Sequence, residues 1–547
     1  MRDISCDVLV VGGGETGIRA AVEARRCGAE KVILATKGAF GEAGVIFSDI
    51  TFGWDMQAAT GENDPSDSKE VHLEDIMHAA QGTCSRKLAS IVVEEAPQRL
   101  RDLEELFGLE LYKGENQKPR QVYGCFSSKN RSYQFVRPKE IQAKMKESIP
   151  RFGVTLMENL MIAELLFDDG RCCGAVGFDE DGGDIRFLSG AVILATGGAA
   201  GIYQHNFASP GMCGDGYGLA LLGGCTLANM EFLQFGLGLL EPKYRALFLD
   251  RLLYLNPRIT FEEEHEFPGR LEDMLERHAK HFPFSCIDES CLFDAAVFKE
   301  TLKYGKGVQV ELSAIPLEKL EEIPVWDLYC GWFEKDKNPY ENPLRITLFA
   351  HACNGGIVIN EKAETGVPGL YAAGEAVTGP HGANRLGGNM HAACQVFGTR
   401  AGANAASFAK TKGLGNIPSW MLPKGVSESS NLDYEAVKKQ AGKLMWENVN
   451  VARHEEGLKG ALKELERLWR QFKEETPERH MLRKYYETQS TLLTAMSITK
   501  AALMRKESRG SHYREDYPDT KVQSFVMKSR YSGGEIKVWE TDSYDEE

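Results

Sequence analysis

The chain has 547 residues, 43% of them hydrophobic and 26% charged, with a formal net charge of −15. That length exceeds what one hydrophobic core organises and predicts two or three domains of ordinary globular composition. The acidic balance argues against nucleic-acid binding and against an electrostatic hold on anionic membranes. The apolar runs fall short of a membrane span, and thirteen scattered cysteines without a C-x-x-C pair predict reduced thiols and no zinc or iron–sulfur site of the chain's own.

Residues 6–11 form an apolar run that predicts a buried parallel strand, and Gly12, Gly14 and Gly17 follow it in G-x-G-x-x-G spacing. The first glycine permits a tight turn, the second lets backbone approach a pyrophosphate, and the third lets helix and strand pack closely. The helix N-terminus, opened by Glu15 and Thr16, then faces the anion. A helix over residues 18–27 and a strand over 31–36 complete the βαβ unit that separates this fingerprint from an ordinary glycine turn. Met1 leads almost directly into the first strand, which leaves no room for a signal or transit segment and predicts a cytoplasmic chain.

Where an NAD-binding chain would carry an acidic residue for the ribose, this one has Ala35, Thr36 and Lys37. The Thr36 hydroxyl can still donate and accept, so a flavin dinucleotide fits better than NAD. The loop from Gly38 to Gly44 is rich enough in glycine to bring backbone N–H groups to a phosphate or a flat ring, the alternative being a surface loop.

Residues 61–69 read as an exposed loop and 71–107 as two helices. A helix near 140–149, a strand at 154–157 and a hairpin turning at Asp168, Asp169 and Gly170 follow. They lead to the apolar run 191–194, which ends in Ala195, Thr196, Gly197 and Gly198. Small residues at the end of such a strand leave room for a cofactor at the crevice. Asp215 lies in a second glycine-rich stretch that opens a helix.

Between residues 239 and 340 charge runs, prolines and aromatics predict an inserted domain that packs over the crevice. His278 and His281 stand one helical turn apart, near His265. No carboxylate completes a recognisable ligand set, so a solvated helix face is the expectation rather than a metal site.

The nucleotide pattern resumes at His351. Glu375 ends a short strand pattern, Arg385 precedes Gly387 and Gly388, and a helix begins at Asn389, Met390 and His391. Its N-terminus can face a flavin carbonyl, and Arg385 just ahead of it suits a carboxylate. Residues 434–449, 455–474 and 479–505 have helical apolar spacing and predict a three-helix bundle, followed by a tail with strand-like pieces. The expected fold class is α/β. It comprises a Rossmann-like FAD-binding domain (1–238 and 351–423), an inserted α+β capping domain (239–350), and a C-terminal helical bundle domain with its tail (424–547).

Taken in order, the fingerprint with Thr36-Lys37, Ala195 to Gly198, Gly214 to Gly216 ahead of Met230-Glu231-Phe232, His351, Tyr371 to Glu375, His381 to Asn389 and the Arg505-to-Pro518 segment resemble the flavoprotein subunits of succinate dehydrogenase and fumarate reductase. L-aspartate oxidase and the α subunit of adenylylsulfate reductase belong to the same family. The resemblance implies FAD, with Glu375 at the ribose, Asp215 near the cofactor, and Met390 and His391 under the flavin ring. It also implies His351 and Arg385 as the groups that hold a substrate carboxylate for hydride exchange. An iron–sulfur protein, quinone or oxygen would be the second electron partner.

Three departures stand out. The loop over residues 40–49 has no histidine, so FAD is expected to be noncovalent. Gly236-Leu237-Gly238 replaces the family's His-Pro-Thr. The run His281-Phe282-Pro283-Phe284-Ser285-Cys286-Ile287-Asp288 lacks the capping-domain arginine. Succinate and fumarate are therefore expected to be poor substrates, and Cys286, His281 and Asp288 are the candidate replacement acids. An adenylylsulfate-reductase-like chain with an iron–sulfur partner, and a catalytically inactive FAD-binding scaffold, are the alternatives.

Overall fold

The computed structural model describes residues 2–42, 44–48, 54–114, 117–135, 138–323, 326–416 and 432–545. The expected boundary at 423/424 and Ala43 of the glycine-rich loop lie outside them. The central sheet runs in the order Thr155–Met157, Val32–Ala35, Arg2–Val11 and Asp184–Leu194, all parallel. Its middle strands are buried on both faces, which is why they read as unbroken Val/Ile/Leu runs: Val8, Leu9, Val10, Val192, Ile193 and Leu194 are all fully buried.

Beyond Asp184–Leu194 the sheet continues antiparallel through Arg171–Phe178 and Met161–Asp168. Leu370–Ala372 pairs parallel with the last residues of Asp184–Leu194, so two distant parts of the chain meet at one strand end. The fingerprint helix Glu15–Arg26 lies against the long helix Asn389–Lys412. Their backbones approach so closely that a Cβ on Gly402 would sit 2.3 Å from the Ala20 carbonyl oxygen. Small residues therefore bring both helix N-termini to the same side of the sheet.

The inserted region is built on an antiparallel sheet in the order Leu233–Glu241, Leu344–Cys353, Val308–Glu311 and Arg258–Thr260. Its two long strands form a continuous ribbon from the nucleotide fold into the lid, with Gly236 opposite Phe349. Two helices, Leu271–His281 and Cys291–Tyr304, pack around that sheet.

At the C-terminal end three helices, Tyr434–Asn448, Glu455–Glu474 and Leu482–Met504, pack on one another. Leu458, Ala461, Leu465, Leu468 and Phe472 make the buried stripe of the middle one at three- and four-residue spacing. The tail forms the hairpin Val526–Ser532 and Glu535–Thr541, whose first strand pairs with Leu227–Ala228 of the nucleotide fold. Arg505 is buried with its Nε donating to Glu231 Oε1 at 2.7 Å and its Nη1 to Glu507 Oε1 at 2.6 Å. Among the described residues no helix is long and apolar enough to cross a membrane.

Candidate functional site

The strand ends, the two helix N-termini and the underside of the lid enclose a cleft of about 570 Å³. That volume lies within the range of small-molecule and cofactor sites. The first turn at its floor is set by contact distances. Gly12 has φ +114°, and a Cβ on it would lie 2.2 Å from the Ala195 oxygen. A Cβ on Gly17 would lie 1.8 Å from the Gly12 oxygen, so Gly17 is a packing residue beneath the cleft and does not line it. Gly14 differs: the nearest atom to its Cβ position is 3.9 Å away, and its face is open to the cleft. The helix that follows has no side-chain cap on its N-terminal N–H groups. This is the arrangement a pyrophosphate needs.

Thr36, Lys37, Gly44, Ala195, Thr196, Gly197 and Asp215 also line the cleft. The Thr196 hydroxyl is buried there without a protein partner. Lys37 donates to Asp215 at 2.6 Å and pairs with Glu487 at 3.2 Å, and Glu487 also accepts from Lys438 at 2.8 Å. Although burial opposes its charge, Glu487 is held down to about 2 by the two ammonium groups, and Lys37 is raised by its carboxylates. Glu487 comes from the C-terminal helix Leu482–Met504, so the bundle helps to fix this end of the cleft.

At the other end Glu15 Oε2 accepts from His391 Nδ1 at 2.8 Å and its Oε1 from Gln395 Nε2 at 2.7 Å. This ties the fingerprint turn to the Asn389–Lys412 helix. The His391 ring meets Trp54 edge-on at 4.5 Å, and Met390 lies beside it on the cleft wall. Asn389 is buried behind the wall with its Oδ1 3.1 Å from His72 Nε2. Glu375 reaches the cleft, but its Oε1 accepts from the Cys353 N–H at 3.0 Å, and burial raises its carboxyl.

Arg385 is 7% exposed and lines the cleft. Its Nε donates to Gln234 Oε1 at 3.1 Å and its Nη1 to the Leu386 carbonyl at 2.8 Å. Among the described residues no carboxylate pairs with it. A guanidinium aimed by neutral groups and left without a counter-ion is suited to a ligand carboxylate. His351 lines the same region. Burial, with Arg385 and His391 nearby, holds it down to about 3, so its imidazole is neutral at physiological pH.

The lid corrects two expectations. His278 and His281 are 0% and 6% exposed and do not form a solvated helix face. Facing helices cover them: His278 Nε2 lies 2.9 Å from both Asp294 carboxylate oxygens, and His281 Nε2 lies 2.9 Å from Ser290 Oγ. The candidate acids Cys286, His281 and Asp288 do not line the cleft. Cys286 turns its thiol to the Gly510 carbonyl at 3.1 Å, and burial raises it well above the ordinary thiol range. Asp288 is held below the usual carboxylate range by His281 and the Ser290 N–H, against its burial.

The residues that do reach the cleft from the lid are Leu247, Leu249, Asp250, Arg251, Phe282 and Pro283. Phe282 fills the space left by Gly236, where a Cβ would come within 2.6 Å of its ring. Asp250 has its carboxyl raised by burial, with Arg251 opposing the shift. Sequence reasoning missed this pair. Its signal was a charged dipeptide inside the apolar run 248–255. Cys125, beside Gly387, and Glu487 were missed as well, because only the tertiary fold brings them near.

The glycine cradle, the orphaned Thr196 hydroxyl and a cleft long enough to run from Lys37 to Arg385 together define a dinucleotide-binding flavoprotein fold. Comparison with known proteins agrees. Residues 7–254 and 258–390 match the FAD binding domain family, and residues 438–541 match the fumarate reductase flavoprotein C-terminal family. The chain belongs to the FAD-dependent flavoprotein family of succinate dehydrogenase, fumarate reductase and L-aspartate oxidase, and it is an FAD-dependent oxidoreductase. It is 32% identical to an uncharacterised FAD-dependent oxidoreductase of Methanocaldococcus jannaschii, over 97% of each chain. It is 30% identical to one subunit of the fumarate reductase (CoM/CoB) of Methanothermobacter marburgensis, over 95% of each. Among solved structures, Sdh1 of Mycobacterium smegmatis superposes with a TM-score of 0.85 at 26% identity, covering 99% of this chain and 94% of the other.

Gly14→Val places carbon in open space, so the protein is expected to keep its melting temperature to within a few degrees while its affinity for added FAD falls at least tenfold, as read by flavin fluorescence quenching. Glu487 stabilises the fold above the pKa of an unfolded glutamate, near 4.3, and that contribution is lost as pH falls toward 2. Thermal melts from pH 6 to pH 2 should therefore show a shallower acid loss for Glu487→Gln than for the wild type.

Proposed function

We propose that the protein exchanges a hydride and a proton with a small monocarboxylic acid of the 2-enoate/saturated type, with noncovalent FAD. When bound, FAD supplies the hydride chemistry. The observation that carries the reading is the contrast across the cleft: a buried, counter-ion-free Arg385 on one side and an apolar wall of Phe282, Leu247 and Leu249 on the other. Arg385 and neutral His351 hold the carboxylate, the arginine by charge-assisted hydrogen bonds and the imidazole as a neutral polar partner. Phe282, seated on Gly236, receives the apolar end of the acid. Asp250 is the acid, since its raised carboxyl keeps a proton nearer neutral pH than an exposed aspartate does.

A second reading is favoured by Arg251, which also lines the cleft and is able to meet a second carboxylate. The Methanothermobacter relative is named a fumarate reductase. Onward electron transfer is assigned to a separate iron–sulfur subunit. The thirteen cysteines are all free, and among the described residues the only metal-competent group of three lacks cysteine.

The test is anaerobic reoxidation of the reduced flavoprotein by crotonate, acrylate and fumarate, followed by the return of flavin absorbance. Crotonate or acrylate is expected to outpace fumarate at least tenfold, and Arg385→Met to raise KM for the acid more than tenfold. Fumarate as the fastest oxidant of the three would overturn the monocarboxylate reading in favour of the second. Separately, acid precipitation of the holoprotein should release all of its flavin into the supernatant, because the loop after the second strand has no histidine to bond it.

A further inference from the structure

The fingerprint helix opens on a carboxylate at the place where a dinucleotide brings its negative pyrophosphate. Glu15 is the first residue of that helix, its side chain is 5% exposed on the cleft wall, and the uncapped N–H groups of its turn are the ones that suit the anion. Both of its oxygens are taken. Oε2 accepts from His391 Nδ1 at 2.8 Å and Oε1 from Gln395 Nε2 at 2.7 Å, so neither has room for a proton of its own. A second anion beside a carboxylate so placed is unfavourable unless a cation answers it.

His391 stands in the position to do so. Its side chain is 27% exposed and lines the cleft, and among the described residues its Nε2 is neither bonded to protein nor enclosed by it. The Glu15 bond fixes Nδ1 as a donor, and Trp54 holds the ring edge-on at 4.5 Å. The imidazole therefore keeps one free nitrogen, and that nitrogen is open to the cleft.

Other ionisable groups surround the pair. Asp55, from the strand Trp54–Gln57, packs on Gly388 just ahead of the His391 helix, where a Cβ would lie 2.5 Å from its Oδ2. His351, Glu375 and Arg385 line the same cleft, and Cys394 follows His391 on its own helix. Burial holds the His351 imidazole down to about 3 and raises the Glu375 carboxyl, while burial and Glu15 raise the Cys394 thiol. Arg385 is engaged by Gln234 and the Leu386 carbonyl. Among the described residues His391 is thus the only group bonded to Glu15 that can become a cation.

We propose that FAD binding is coupled to protonation of His391: the incoming pyrophosphate adds negative charge beside Glu15, and His391 takes up a proton at Nε2 to compensate it. The balance is one proton drawn from solvent for each FAD bound, with no covalent bond of the cofactor made or broken. Glu15 holds the resulting imidazolium through Nδ1–H, and Nε2–H becomes a charged donor facing the cofactor. His391 is in this sense a positioning residue of the FAD site, whichever acid is the substrate. Linkage fixes the sign: a proton taken up on binding makes affinity for FAD fall as pH rises through the range in which His391 titrates.

The test is calorimetric titration of FAD into the flavin-free protein from pH 6 to pH 9, in phosphate, HEPES and Tris, whose different ionisation heats count the protons exchanged. The wild type is expected to take up at least half a proton at its maximum and to lose affinity at least tenfold across that range. His391→Gln keeps a donor for Glu15 and cannot titrate, so its uptake should vanish and its affinity at pH 6 should fall at least tenfold. Adding Glu15→Gln removes the charge that the imidazolium answers. The double variant should therefore return to within threefold of wild-type affinity at pH 6, a rescue that a purely structural role for either residue does not give. An independent readout is the Cε1 resonance of His391, assigned by its absence in His391→Gln, which should report an imidazolium at pH 6.5 in the flavin-loaded protein. Uptake below a tenth of a proton at every pH, a double variant no tighter than the single one, or a neutral His391 in the loaded protein would each overturn the coupling. If removing the flavin unfolds the protein, the resonance decides alone, an imidazolium supporting the proposal and a neutral ring overturning it.

Discussion

Everything in the site depends on how closely backbone meets backbone at the C-terminal edge of the central sheet. Gly17 brings the fingerprint helix onto the Gly12 carbonyl, and Gly12 brings its strand onto Ala195. Side chains at either place would push helix and strand apart by ångströms, and the cleft would have neither its anion-facing helix end nor its floor. Hydrophobic burial makes the sheet stable, but these contacts decide where its open end lies. Gly402 repeats the device between the two helices, so both helix N-termini stand on one closely packed base.

On that base the electrostatics divide into two ends. Lys37 is neutralised by Asp215 and Glu487, a paired arrangement that fixes geometry and attracts no anion. Arg385 is held instead by Gln234 and a backbone carbonyl, which aim the guanidinium without satisfying its charge. A buried cation in that condition is costly unless a ligand pairs with it. The cleft is thereby polarised toward a carboxylate at its Arg385 end, while Arg251 enters it from the lid. The lid adds an apolar surface and one protonatable carboxyl.

Much of this was legible in the sequence because it is local. The strand–glycine–helix unit, the small residues at 195–197, the helix at Asn389 and the stripe of the middle bundle helix are patterns within a few residues. The resemblance to a flavoprotein family placed Arg385 and His351 together before the fold did. What local pattern cannot supply is which face of a lid helix is covered. His278 and His281 sit among charged residues and read as solvated, yet Asp294, Ser290 and Phe126 arrive from other elements to cover them. Asp250 and Arg251 were hidden for the opposite reason. They interrupt an apolar run, and only the turn Asp250–Leu255 shows them directed at the cleft.

The central claim is a single carboxylate anchor facing an apolar, acid-bearing lid. A crystal structure of the flavin-loaded protein with crotonate tests it most directly. The account predicts the carboxylate on Arg385 and His351, the methyl end against Phe282, and the Asp250 carboxyl beside the double bond. A carboxylate bound at Arg251, with Arg385 left facing solvent, would contradict it.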